Sequence, residues 1–292
     1  MMPSAPLSLL LCPVCREPFP APGNLPGIPS GETAPTPSLV CPRGHRFDAA
    51  RQGYYNLLTG SGTKFAADTA EMVQARVDFL AAGHYSRMAD DLAGLVASAV
   101  PDARMVLDAG AGTGYYLGVV SHALPGADAV ALDISKFALR RAARALPAAH
   151  CLVWDVWRPL PVADGAVDAV LNVFAPRNVP EFRRILRPGG VLAVVTPQPA
   201  HLQEIRALAG MLDIGAEKET RVAAAVEAHF RPAETRHCEY LMNLRAADIR
   251  NVALMGPSAR HLDRDSLQEN LAGLPDTIPV TASFTLQLFR AA

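Results

Sequence analysis

Two pairs of potential metal ligands stand near the start of the chain: Cys12-Pro-Val-Cys15, and then Cys41-Pro-Arg-Gly-His45. Structural zinc takes four thiolate or imidazole ligands at the corners of a tetrahedron, and two close pairs on two tight turns supply them with little strain. Proline after the first Cys of each pair favours such a turn. Cys12, Cys15, Cys41 and His45 therefore read as a closed zinc site, structural because no coordination position is left open. The interval 18–38 is rich in Pro, Gly, Ser and Thr and reads as a flexible loop. Its length costs the site little, since loop closure grows only logarithmically. A unit this small cannot bury enough surface to fold unaided, so metal binding must supply much of its stability.

A second constellation begins at Asp108 and runs through Ala109-Gly-Ala-Gly-Thr-Gly114 into Tyr115. Glycines 110, 112 and 114 let the backbone turn sharply and approach a ligand that a Cβ would exclude, with Thr113 between them. Such loops serve several nucleotide cofactors. The next apolar run ends at Asp133, 19 residues beyond Gly114, where a carboxylate can take both hydroxyls of an adenosine ribose. Asp108 inside the loop would be repelled by a pyrophosphate but suits a cationic amino-acid group. The pattern therefore points to S-adenosylmethionine rather than to a nicotinamide dinucleotide. Asp155 closes a third run, either to meet the adenine amino group or to hold a turn before Pro159.

These residues need strands to carry them. Met105–Asp108, Ala129–Asp133, His150–Trp154, Val167–Phe174 and Val191–Thr196 are short apolar runs, alternating with helical sequence as in a doubly wound α/β domain. Arg187-Pro-Gly-Gly190 is a strong break. Cys238–Leu244 and Val280–Phe289 read as a closing antiparallel pair. Cys151 and Cys238 stand alone in strand-like sequence and read as buried thiols.

Composition narrows the function. With 292 residues, half of them apolar, the chain can bury one large core with a small appendage beside it. A net charge of -1 gives no support to a protein that coats nucleic acid through many phosphate contacts. The local excess of Arg43, Arg46, Arg51 and Lys64 over Asp48 is either a phosphate-facing patch or a solvated face. Leu7–Leu11 lacks the basic flank and the length of a secretory signal, and no apolar run reaches the roughly 20 residues of a membrane span. A cytoplasmic protein without membrane contact is expected.

CPVC and CPRGH, FDAARQGYYNLL (47–58), DTAEMVQARVDFLAAGHY (68–85), VLDAGAGTGYY (106–116) and TPQPAHLQEI (196–205) together span nearly the whole chain. In these motifs the chain resembles the bacterial 23S ribosomal RNA guanine-N1-methyltransferases, which include macrolide-resistance enzymes. The resemblance implies a class I, Rossmann-like, seven-stranded methyltransferase core with a small N-terminal zinc-binding module. It implies a zinc-binding RNA-recognition unit over 1–60, a transfer domain over 61–292, and a 23S rRNA hairpin as partner. It also implies cofactor contacts from Tyr85 and His201, which as residues alone read as ordinary helix starts, and from Tyr115 in the glycine loop.

Guanine N1 carries a proton at neutral pH, so an acceptor for it is needed. Glu71 is a candidate, although Asp68-Thr-Ala-Glu71 also fits a capping box. Phe174, in the Asn172–Pro176 segment, would either stack on the target base or fill the core. The competing function is a methyltransferase for a small molecule, which would share every cofactor residue. The oligomeric state, a homodimer included, is left open by the residues.

Overall fold

Pro159 and Pro161 forbid a helix between two of the central strands, and that gap decides how the chain is assembled. The computed structural model describes residues 7–20, 37–60, 62–211, 226 and 228–291. Most of the Pro-rich loop expected over 18–38 lies outside the described residues.

The short strands β1 (Ser38–Val40) and β2 (Arg46–Asp48) pair antiparallel. β3 (Tyr55–Asn56) leads to α1 (Ala70–Ala81) and α2 (Ser86–Ala99). Then follow β4 (Met105–Ala109), α3 (Tyr115–Ala123), β5 (Asp128–Asp133), α4 (Lys136–Ala145), β6 (His150–Val153) and β7 (Val167–Val173). The chain continues through α5 (Val179–Ile185), β8 (Leu186–Pro197), β9 (Phe230–Leu244), α6 (Ala246–Met255), α7 (Arg264–Ala272) and β10 (Ile278–Ala291).

Eight strands form one sheet in the order β3-β6-β5-β4-β7-β8-β10-β9. Seven of them make the expected class I core, with β10 antiparallel to both neighbours. The eighth, β3, adds Tyr55 and Asn56 beside Leu152 and Val153 of β6. Every residue of β4, β6 and β7 is buried, as parallel strands covered on both faces must be. The closing strands are longer than the apolar runs suggested, because exposed β9 residues from Arg231 onward still find ladder partners on β10. Arg187-Pro-Gly-Gly190 breaks α5 as expected, but as an irregular stretch within β8 that shifts the β7–β8 register.

Successive residues of the buried strands face opposite sides. Val106, Ala131, Cys151, Ala169 and Val191 pack with α2, α3 and α4 on one side. Leu107, Val130, Leu132, Leu152 and Val170 face the other. There Leu10, Cys12, Phe19 and Leu39 of the N-terminal unit join the same apolar cluster. The proline-bearing connection from β6 to β7 receives this unit through backbone bonds, Leu11 N to Pro161 O and Ala163 N to Leu9 O, both 2.9 Å. The N-terminal unit thus covers sheet surface that a crossover helix covers in a doubly wound fold. Each fully buried Phe or Leu side chain in that contact stabilises it by about 1.5–3 kcal/mol.

Candidate functional site

The sheet reverses its winding between β4 and β7, and loops after these strands meet at the carboxyl edge, where open α/β sheets hold ligands. Gly110 has φ +96°, and a Cβ there would lie 2.4 Å from Cβ of Ala175 beyond β7. Gly114, at φ +80°, would press a Cβ onto Leu146 and Ala142 at 3.0 and 3.1 Å. The glycines thus serve close packing between loops and helices.

Asp133 closes this loop from the next strand. Its carboxylate accepts the Gly112 amide at 2.8 Å and the Ser135 amide at 2.7 Å. Asp108 is 1% exposed, and neither of its oxygens has a hydrogen-bond partner among the described residues. Burial, reinforced by the nearby Asp133 charge, pushes its carboxyl up to about 8. An unpartnered buried carboxylate is costly unless a cation arrives to pair with it. Thr113 is buried within the loop, and Tyr115 opens α3 with its ring edge-on to Tyr116.

Tyr85 caps the start of α2 and is buried against Phe79 and Phe284, with both ring pairs edge-on. Its hydroxyl lies 3.0 Å from Nε2 of His201, whose Nδ1 accepts the Ser283 amide at 3.3 Å. A backbone N–H can only donate, so Nδ1 carries no proton. Burial, followed by the Arg206 charge, lowers the imidazole to about 3. The ring is therefore neutral with its proton on Nε2, donating to the phenol oxygen. His201 lies within a series of turns that starts at Pro199, not at the start of a helix.

Phe174 is 42% exposed with φ +53°, a left-handed conformation that bulky residues rarely adopt. Its ring lies among Tyr85, Tyr116 and Phe284, with centroids 5.6–6.3 Å away. Phe174 is thus an accessible ring on a strained backbone and not a buried filler of the core. Asn172 ties the two loops together, donating to Ala109 O at 3.1 Å and Pro176 O at 2.9 Å.

Two expectations need correction or refinement. The α1 cap is Thr69, which accepts the Met72 amide, so Asp68 and Glu71 form no capping box. Glu71 instead meets both Nη atoms of Arg264 at 2.7 Å on the surface. Asp155 accepts Thr63 Oγ1 at 2.8 Å and the Trp157 amide at 3.0 Å, so the turn reading describes its contacts here. Sequence reasoning overlooked Arg76. It bonds Asp68 and Met255 O, both at 2.7 Å, and overhangs the glycine loop, 3.6 Å from where a Gly112 Cβ would lie. Nothing in its local pattern distinguishes it from a helix-surface arginine.

The ligand atoms of Cys12, Cys15, Cys41 and His45 all lie within 4.8 Å of one another. Cys15 Sγ to Cys41 Sγ is 3.6 Å, and His45 Nδ1 is 3.6 and 3.3 Å from Cys12 and Cys41 Sγ. A tetrahedral zinc with Zn–S of about 2.3 Å sets such edges near ~3.8 Å for S–S and ~3.6 Å for S–N, so the set fits zinc. Turns at Arg16 and Gly44, both with positive φ, bring each pair together.

A family profile described as a methyltransferase domain matches residues 106–190, and the zinc-ribbon profile described as RlmA, N-terminal, matches residues 10–60. A Micromonospora griseorubida protein assigned as a 23S rRNA (guanine-N(1)-)-methyltransferase is 44% identical, over 96% of this chain and 97% of its own. The chain belongs to the 23S rRNA guanine-N1-methyltransferase family. A second member, the 23S rRNA (guanine(748)-N(1))-methyltransferase of Streptomyces fradiae, is 46% identical over 87% of this chain and 91% of its own. Among solved structures, a Bacillus halodurans methyltransferase-fold protein aligns with TM-score 0.50 and 16% identity, over 68% of this chain and 98% of its own. That likeness shows the class I fold. As a family member the chain is a methyltransferase that uses S-adenosylmethionine and carries a structural zinc ribbon. The unpartnered Asp108 beneath the glycine loop fits the cationic amino-acid end of that cofactor. No helix among the described residues is long and apolar enough to cross a membrane.

Proposed function

We propose that this enzyme methylates N1 of a guanine in a 23S rRNA hairpin loop, in the cytoplasm, and that the modification protects against a macrolide. The observation that carries the reading is similarity to a guanine-748 N1-methyltransferase extending over 87% of the chain, zinc ribbon included. A small-molecule methyltransferase would have no need of the ribbon over 10–60. The division at residue 60 belongs to the same reading, the ribbon over 10–60 serving RNA recognition.

S-adenosylmethionine, when bound, supplies an electrophilic methyl group on a sulfonium. The protein would hold guanine N1 in line with that methyl, the N1 proton passing to solvent as the N1–C bond forms and the C–S bond breaks. Asp108 would pair with the α-ammonium group, while Arg76 would offer its guanidinium to the α-carboxylate. Asp133 would take the ribose hydroxyls while keeping the Gly112 amide in place. Gly110, Gly112, Thr113, Gly114 and Tyr115 shape the loop around the cofactor, and Asp155 holds the wall beyond β6. Tyr85, its oxygen already accepting from His201, offers a hydroxyl hydrogen to an acceptor on cofactor or base. Neither is the base: burial holds Tyr85 far above its ordinary range as a phenol, and both His201 nitrogens are engaged. Phe174 stacks on a guanine unstacked from the loop.

The test is transfer of labelled methyl to 23S rRNA lacking the modification, with the labelled nucleotide identified by mass spectrometry. N1-methylguanine in one hairpin loop is expected. Cofactor binding without label on RNA would overturn the assignment.

A further inference from the structure

Next to the cofactor loop, and sharing Asp155 with its outer wall, a cleft of about 540 Å³ opens between Gly62–Phe65 and Asp155–Arg158. Asp155, only 5% exposed, ties the walls together, binding the Thr63 hydroxyl on one side and the Trp157 amide on the other. Trp157 and Phe65 are 51% and 42% exposed, an unusual outlay of aromatic surface beside a built cleft. Two cations flank them. Lys64 Nζ lies 5.4 Å from the Phe65 ring centroid, and the Arg158 guanidinium 5.8 Å from that of Trp154. With the Asp155 oxygens occupied by those bonds, the cleft presents aromatic faces and positive charge.

Its position matters as much as its composition. Asp155 follows β6 on the carboxyl edge that carries Asp133, and the Trp154 amide bonds Asp133 O at 2.9 Å. In the other direction, Leu160–Ala163 is where the zinc unit docks, with Arg16 Nη1 bonding Leu160 O at 2.9 Å. The cleft therefore bridges the zinc unit and the transfer site. Two arginines of the zinc unit are engaged elsewhere, Arg43 pairing with Glu17 and Arg46 with Asp48, both at 2.7 Å.

We propose that this cleft binds an unpaired nucleotide of the RNA substrate flanking the target guanine, its base stacked on Trp157, the more exposed ring, and its phosphates held by Lys64 and Arg158. Aromatic stacking with cationic backbone contacts is how proteins hold single-stranded nucleic acid independently of sequence. The proposal rests on the RNA reading above and adds the place where the strand is gripped.

Trp154 and Trp157 are the two tryptophans of the chain, so the emission difference between the enzyme and its Trp157→Phe variant isolates Trp157. Unmodified 23S rRNA hairpin RNA should quench that difference saturably, while S-adenosylhomocysteine alone leaves it unchanged. Trp157→Ala should raise KM for the RNA about tenfold, with kcat and cofactor affinity unchanged, and Trp157→Phe should retain most of the wild-type KM. Replacing Lys64 and Arg158 with Gln together should flatten the salt dependence of binding by about 1–2 in log–log slope. An unchanged KM in Trp157→Ala, while the wild type methylates the RNA, would overturn the subsite and leave the function standing. Quenching by S-adenosylhomocysteine alone would assign the cleft to the cofactor. Absence of methyl transfer by the wild type would remove the RNA reading itself, and the subsite with it.

Discussion

His201, 116 residues beyond Tyr85, donates from Nε2 to the Tyr85 oxygen at 3.0 Å, so the phenol keeps its own hydrogen for another acceptor. Removing that hydroxyl in Tyr85→Phe leaves the aromatic packing but deletes the donor. Cofactor affinity or kcat should fall about tenfold, and transfer assays with calorimetry will show which. The imidazole is held to about 3, so it stays neutral at any higher working pH. A kinetic limb near pH 6.5 that disappeared in His201→Gln would contradict this proton placement.

Asp108 makes cofactor binding depend on pH. Its folded-state carboxyl sits at about 8, so below that value the cofactor-free protein holds a proton that an incoming ammonium group must displace. Affinity for S-adenosylmethionine should therefore rise with pH, by up to about tenfold per unit, until the range near 8 is reached. Calorimetry in buffers of different ionisation enthalpy will register the released proton.

The same residue should trade stability for binding. As an acid whose folded pKa is raised, Asp108 destabilises the empty protein increasingly as pH climbs from the ordinary carboxylate range to about 8. Asp108→Asn should stabilise the cofactor-free enzyme at neutral pH by about 1–3 kcal/mol while abolishing cofactor binding. Thermal melts and binding isotherms on one preparation will test both halves.

Loss of zinc should reach further than the ribbon. Cys12→Ser with Cys15→Ser should abolish metal binding and RNA methylation. It should also lower the melting temperature of the whole chain, because Leu10, Phe19 and Leu39 share an apolar cluster with the central sheet. Cofactor affinity at low temperature should change little, since the glycine loop and Asp133 have their own support. A melting temperature equal to wild type would show that the ribbon's packing contributes nothing to the core.

Glu71→Gln should leave methyl transfer within about twofold of wild type and cost no more than ~1 kcal/mol, because its carboxylate serves an exposed pair with Arg264. Single-turnover rates and melts measure both. A hundredfold slower chemical step would restore Glu71 as the base.

The metal ligands, the glycine loop and the strands of the sheet were legible in the residues themselves. Thiolate pairs at knuckle spacing, glycines between a strand and a helix, and unbroken apolar runs are local patterns whose physics acts within a few positions. So were Asp108 and Asp133, each ending or following such a run. What lay beyond that reach depended on contacts between distant segments. Gly110 must remain glycine because Ala175, 65 residues later, occupies the space of its Cβ. Glu71 has Arg264 as its partner only because α7 brings that residue to it from 193 positions away. Asp155, Thr63 and Trp157 became the joint of one cleft only when the 62–65 segment crossed the end of β6. Even the place of the zinc unit followed this rule. The sequence pattern predicts strands alternating with helices throughout; only the folded sheet revealed that Pro159 and Pro161 leave no helix after β6, that the apolar face there required a cover, and that the ribbon supplied it.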